Sequence, residues 1–141
     1  SLAAILLVLK AQFLLENGNA NEALKYYKRA LELEPNQVLL NIGYARALNS
    51  VGEYKSSVNL LKNVYVKDPN NDRLLRELAT AYSQIGETGW ASLLTAERYA
   101  LYGKFKDAMH HAKRALGTSL PGSIEWLKAE DLILDIKNMG K

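Results

Sequence analysis

The sequence predicts an all-α fold of about eight helices, arranged as antiparallel hairpins and piled side by side into an open superhelix. Three observations predict it. Gly18, Gly52 and Gly86 recur at a 34-residue interval. Pro35 and Pro69 are separated by the same interval, each in a matching ending, "EPN" and "DPN". Apolar residues otherwise fall at helical spacing through most of the chain, and few stretches alternate as a strand would.

The elements follow in order. Helices are expected near 2–17, 20–33, 37–50, 54–67, 71–85, 88–102, 104–117 and 123–138. Between the glycine marks, small residues align: Ala11, Ala45 and Ala79 in the first helices, Ala23, Ser57 and Ala91 in the second. Small side chains let two helices cross closely, and larger ones such as Leu14, Leu48 and Tyr82 fill the grooves beside them. Glycine ends the first helix of each pair, where the turn needs a positive φ. Proline stops the second helix and directs the chain to the next pair.

Beyond Gly86 the interval halves. In "TAERYALYG", Ala96, Tyr99 and Gly103 stand 17 residues after Ala79, Tyr82 and Gly86. The helix at 88–102 is therefore expected to close the third pair and open a fourth, closed in turn by "KFKDAMHHAKRAL" with Phe105, Ala108, Ala112 and Ala115 inward. After "LPGS", Ser123 is an N-cap for a final helix carrying Trp126, Leu127, Leu132 and Ile136. That helix is read as the terminal cap an open stack needs. The expected organisation is a single domain over 1–141, with repeats at about 4–36, 38–70 and 72–102, an irregular unit at 89–120 and the cap at 123–138. A chain of 141 residues can bury such a core.

Composition narrows the function. There are no cysteines, which excludes disulfides and thiolate chemistry. A net charge of +3, without a Lys/Arg block, gives no nucleic-acid surface. The opening "LAAILLVL" has neither the basic flank nor the cleavage site of a signal peptide, and is too short to span a bilayer. It begins inside a helical pattern, which reads as a piece of a longer protein.

A 34-residue helix–turn–helix unit with these small, large, glycine and proline positions resembles the tetratricopeptide repeat (TPR) family. The resemblance covers residues 1 to about 118 and implies a right-handed superhelix that binds proteins. The family's large first-helix residue appears as Leu7 and Leu75, but as Asn41 in the second unit, where a packing contact should weaken.

Catalytic constellations are missing. His110 and His111 are neighbours on a helix, pointing about 100° apart, unlike the H-E-x-x-H spacing that puts two ligands on one face. No phosphate-binding glycine loop or G-x-S-x-G elbow occurs. The chain is thus expected to carry no catalytic, metal or cofactor site, and the histidines read as a surface pair.

Binding is the stronger expectation, in a groove lined by the first helices. The groove-facing candidates are Val8, Gln12 and Leu15, then Ile42, Arg46 and Asn49. Arg73, Arg76, Thr80 and Gln84 follow, with Trp90, Leu93 and Glu97 on the shared helix. Arginines between an apolar start and a tryptophan suit an acidic or C-terminal peptide, through bidentate contacts to carboxylates. The carboxylate clamp of some TPR proteins is not expected. Its places hold Val8, Gln12, Gly43, Arg73 and Glu77, of which Arg73 alone conforms. The alternative of self-association rests on Val8, Ile42 and Leu93 as exposed apolar groove residues.

A narrower resemblance covers about 60 residues from "LATAYSQIG" to "AEDLILDIK". The half-repeat shift, the "A-x3-A-x2-A" helix and the late helix after Pro-Gly-Ser are similar to the C-terminal TPR region of BepA-type periplasmic zinc metalloproteases. That resemblance implies a parent protein with a zinc protease domain upstream of residue 1, at work in envelope protein quality control. Its partners would be the protease domain itself or outer-membrane assembly components. The location would then be periplasmic, and otherwise cytoplasmic. No zinc ligand carries over to this chain, since the motif is not in it.

Overall fold

The computed structural model describes residues 1–139, which form eight α-helices and no strand. No described helix is long and apolar enough to cross a membrane. The chain divides into two compact units, Ser1–Lys67 and the remainder from Asp68.

The first unit holds α1 (Leu2–Glu16), α2 (Ala20–Leu33), α3 (Val38–Ser50) and α4 (Tyr54–Lys67). Consecutive helices pack on one another, and α1 also touches α3. The small residues sit where the crossings demand them: Ala11, Ala23 and Ala30 are fully buried around the ring of Tyr27. Both hairpins turn by the same hydrogen bond. The Asn19 N–H donates to the Leu14 carbonyl at 2.8 Å, and the Glu53 N–H to the Leu48 carbonyl at 2.9 Å. This is the six-residue closure of a Schellman turn, which satisfies a helix-end carbonyl.

The "EPN" link has its own device. Gln37 caps α3 by accepting from the Leu40 N–H at 3.1 Å. The buried Asn41 amide donates to the carbonyls of Pro35 (3.1 Å) and Gln37 (2.8 Å). Asn41 therefore replaces an apolar packing contact with a polar clasp on the link, each bond contributing about 1 kcal/mol. At Gly43 the backbone of α3 closes on α2: a Cβ there would lie 2.8 Å from Cε1 of Tyr27.

The second unit holds α5 (Asp72–Gln84), α6 (Thr88–Leu101), α7 (Phe105–Thr118) and α8 (Ile124–Met139). Here α6 is the hub. It packs against α5, α7 and α8, while α5 and α7 flank it without packing on each other. The cause lies in two successive glycine turns, Gly86 at φ +84° and Gly103 at φ +72°. Each repeats the closure of the first unit, with the Glu87 N–H on the Tyr82 carbonyl (2.9 Å) and the Lys104 N–H on the Tyr99 carbonyl (3.0 Å). A residue with a Cβ is strained at such a φ. So α6 ends one hairpin and begins the next, as the 17-residue offset implies.

Leu93, Ala115 and Ala129 form one buried cluster, with Trp90 and Leu116 against it. Ala96, Ala112 and Ile133 form a second, with Met109, Leu116 and Leu132. Ser123 caps α8 as expected, its Oγ accepting from the Trp126 N–H at 3.4 Å. The inner face of α8 is set differently from expectation. Ala129 and Ile133 are its buried residues, Trp126, Leu132 and Ile136 are half-buried, and Leu127 is exposed.

Candidate functional site

A cleft of about 710 Å³ opens in the second unit, with α5 and α7 as walls and α6 as floor. The α5 wall presents Arg76, Thr80, Ser83 and Gln84, residues spaced to lie on one helical face. The floor presents Ala91, Ser92, Thr95 and Arg98, then Tyr99 and Tyr102 near its end. Lys104, His111 and Arg114 complete the opposite side. Ala79 and Ala91 show why the space exists. Their counterparts Ala11, Ala45, Ala23 and Ser57 are fully buried, whereas these two are only half-buried and line the cleft.

The polar groups of the floor and of the α5 wall are anchored. The Thr95 hydroxyl donates to the Ala91 carbonyl at 2.8 Å, and the Thr80 hydroxyl to the Arg76 carbonyl at 2.9 Å. The Arg98 Nε donates to Asp72 Oδ1 at 2.6 Å, joining the last turn of α6 to the first of α5. That hydrogen bond, with a further one from Tyr102, holds the Asp72 carboxyl below its ordinary 3.8. His111 stacks on Tyr99, with ring centroids 5.3 Å apart and planes 9° from parallel. Burial first, then the neighbouring His110 and Arg114, pushes its pKa below the ordinary 6.5 and favours the neutral imidazole.

The Asp72–Arg98 pair gives a pH prediction. Because folding lowers the carboxyl pKa, the pair's stabilisation is complete above about 3.8 and disappears as the pH falls through the folded value. Both side chains are about one-third exposed, so solvent screening keeps the contribution within about 0.2–1 kcal/mol. Asp72→Asn should lower the urea midpoint at pH 7, with the gap from wild type closing below pH 4.

The expected groove residues are distributed as follows. Arg76, Thr80 and Gln84 line the cleft. Arg73 is exposed on α5 but outside it, and Glu97 is half-buried on α6 away from the lining. Gln12 and Arg46 are exposed in the first unit. Ile42 and Asn49 are buried, at 4% and 9% exposure, and so present no open surface. Trp90 stacks on Tyr82 at 5.5 Å and packs against the Leu93 cluster, serving as core. Leu93 and Ile42 are likewise buried and cannot supply an exposed apolar groove. The apolar surface lies elsewhere, on the face of α1 carrying Leu2, Ile5, Leu6, Leu9 and Phe13, each more than half exposed.

Tyr99, Lys104, His111 and Arg114 also line the cleft and are not among the groove residues expected from the repeat. The half-repeat offset was the available signal: once α6 opens a hairpin, the helix after it borders the same space. Among the described residues no group of three His, Cys, Asp or Glu is placed to hold a metal ion.

Residues 14–61 match the tetratricopeptide repeat family. Tetratricopeptide repeat protein 8 of Caenorhabditis elegans is 40% identical over 60 residues, which are 43% of this chain and 12% of that protein. MamA (41-end) from Desulfovibrio magneticus RS-1 superposes with a TM-score of 0.58 at 16% identity, over 98% of this chain and 95% of that one. A thermophilic TPR protein of Thermus thermophilus gives 0.58 at 17% identity, over 98% and 84%. Repeat spacing, glycine turns, hairpin packing and these likenesses agree on the fold: an all-α stack of helical hairpins, with a tetratricopeptide repeat match over residues 14–61.

Proposed function

We propose that this chain is a protein-interaction module that holds an extended peptide segment of a partner in the cleft of its second unit. The observation that carries the reading is the cleft itself, a groove between α5 and α7 floored by α6, lined by side chains rather than closed by helix packing. An extended segment suits it, since three helices offer polar groups along its length. Peptides selected from a random library against the chain supply the test. In ¹⁵N-resolved spectra they should shift amides of α5, α6 and α7 around Thr80, Thr95 and Arg114. Shifts confined to other helices would refute the cleft.

The wider setting is also a proposal. The half-repeat shift and the helix after Pro-Gly-Ser support a place as the C-terminal TPR domain of a periplasmic zinc metalloprotease in envelope protein quality control. Zinc would then belong to the parent's protease domain, and the partners would be that domain or outer-membrane assembly components. An H-E-x-x-H motif encoded upstream of Ser1 is the expected result, and its absence from the full gene product rejects this setting. A free-standing adaptor is the alternative.

Self-association has one observation of its own, the exposed apolar face of α1. Light scattering that gives a monomer mass at both low and high concentration removes it.

A further inference from the structure

We infer that the segment bound in this cleft is acidic, and that Lys104 and Arg114 are its main charge contacts. The inference rests on the cleft being a peptide site and adds the chemistry of the peptide. Among the described residues lining it, four are Arg or Lys and none is Asp or Glu. Over the whole chain the charges nearly balance, 18 basic against 15 acidic, so the cleft concentrates one sign.

The four cations differ in what already faces them. Arg98 is paired with Asp72 at 2.6 Å, and Arg76 has Glu77 at 3.7 Å. Lys104 and Arg114 are exposed and form no ion pair among the described residues. An anion between the walls would thus meet two unneutralised cations on the α7 side and Arg76 on the α5 side. Side-chain carboxylates spaced along an extended strand match charges spread over separate helices. A single phosphate would instead need donors converging on one point. Nucleic acid is disfavoured because its backbone calls for cations running along a surface, and here they are gathered within one cleft.

The test uses fluorescence anisotropy of a labelled peptide of about eight residues alternating Glu and Ala, beside its Gln-for-Glu counterpart. The Glu peptide should bind, and its affinity should fall as salt rises from 50 to 300 mM, since screening weakens exposed charge contacts. Lys104→Glu with Arg114→Glu should weaken it at least about tenfold, the equivalent of 1.4 kcal/mol. Both side chains are exposed, so circular dichroism and melting temperature should stay unchanged. The charge-preserving pair Lys104→Arg with Arg114→Lys should bind nearly as well as wild type.

Equal binding of the Glu and Gln peptides, with shifts still mapping to the cleft, would overturn the acidic chemistry while leaving the peptide cleft standing. No binding of the Glu peptide at millimolar concentration would overturn it too. Undiminished binding by the charge-reversed variant would remove Lys104 and Arg114 as the contacts and overturn this inference, while the amide shifts alone decide whether the peptide lies in the cleft. A single-stranded oligonucleotide that displaces the Glu peptide and binds more tightly would assign the cations to nucleic acid instead.

Discussion

Tyr27→Ala should destabilise the chain by about 3–5 kcal/mol, the usual cost of emptying a buried aromatic site. Tyr27 is 2% exposed and sits among Ala11, Ala23 and Ala30, whose methyl groups are fixed to the backbone and cannot follow it inward, with Leu40 beside them. Gly43 tests the same contact from the opposite side. A side chain there begins 2.8 Å from the ring, and the buried ring has no solvent to swing into. Gly43→Val should therefore cost about 1–3 kcal/mol through overpacking. The helix-propensity gain on leaving glycine is below about 1 kcal/mol, so overpacking wins. In the Tyr27→Ala background the valine enters vacated space, and the two losses should fall well short of additive. Urea unfolding of the four variants measures this. Strict additivity would mean that the two residues do not meet.

Leu93→Ala should cost about 2–5 kcal/mol. Leu93 is fully buried on α6, with Ala115 of α7 and Ala129 of α8 against it. Those alanines cannot expand into the cavity, which places the loss toward the upper part of that range. Because α6 carries the floor of the cleft, the variant should also lose amide protection along α5–α8 in hydrogen exchange. A loss under 1 kcal/mol with protection intact would show that α6 is not the hub.

Much of this fold is legible in the sequence because its determinants are local. A glycine that must adopt positive φ, a proline that cannot continue a helix and an alanine where two helices cross each mark a position without reference to distant residues. The helix ends accordingly fall within about one residue of expectation. The 17-residue step from Gly86 to Gly103 announced the double role of α6, and the matched bonds from Glu87 and Lys104 give it a physical form.

The candidate cleft is legible in the sequence only on the α5 side. Arg76, Thr80 and Gln84 follow from the repeat, since α5 is a regular first helix. The same rule places Ile42, Asn49 and Trp90 on the groove, yet the first two are buried and Trp90 is packed on Tyr82 and the Leu93 cluster; a repeat register does not say which positions neighbours cover. His111 and Arg114 belong to a helix whose counterparts in regular repeats close the hairpin away from the groove. Only the tertiary result of the half-step, α5 and α7 parted by α6, brings them to the cleft. Asn41 looked like a defect from its type alone. Its two bonds to Pro35 and Gln37 become visible only with the turn in place.

If the half-repeat step leaves a ligand-accepting cleft over α6, a bound peptide must lie between α5 and α7. A crystal structure of the chain with a library-selected peptide tests it most directly. The expected result is an extended segment between α5 and α7, crossing Thr95 and reaching Lys104 and Arg114. A peptide seated on α1, or α5 and α7 closed against each other over α6, would contradict it.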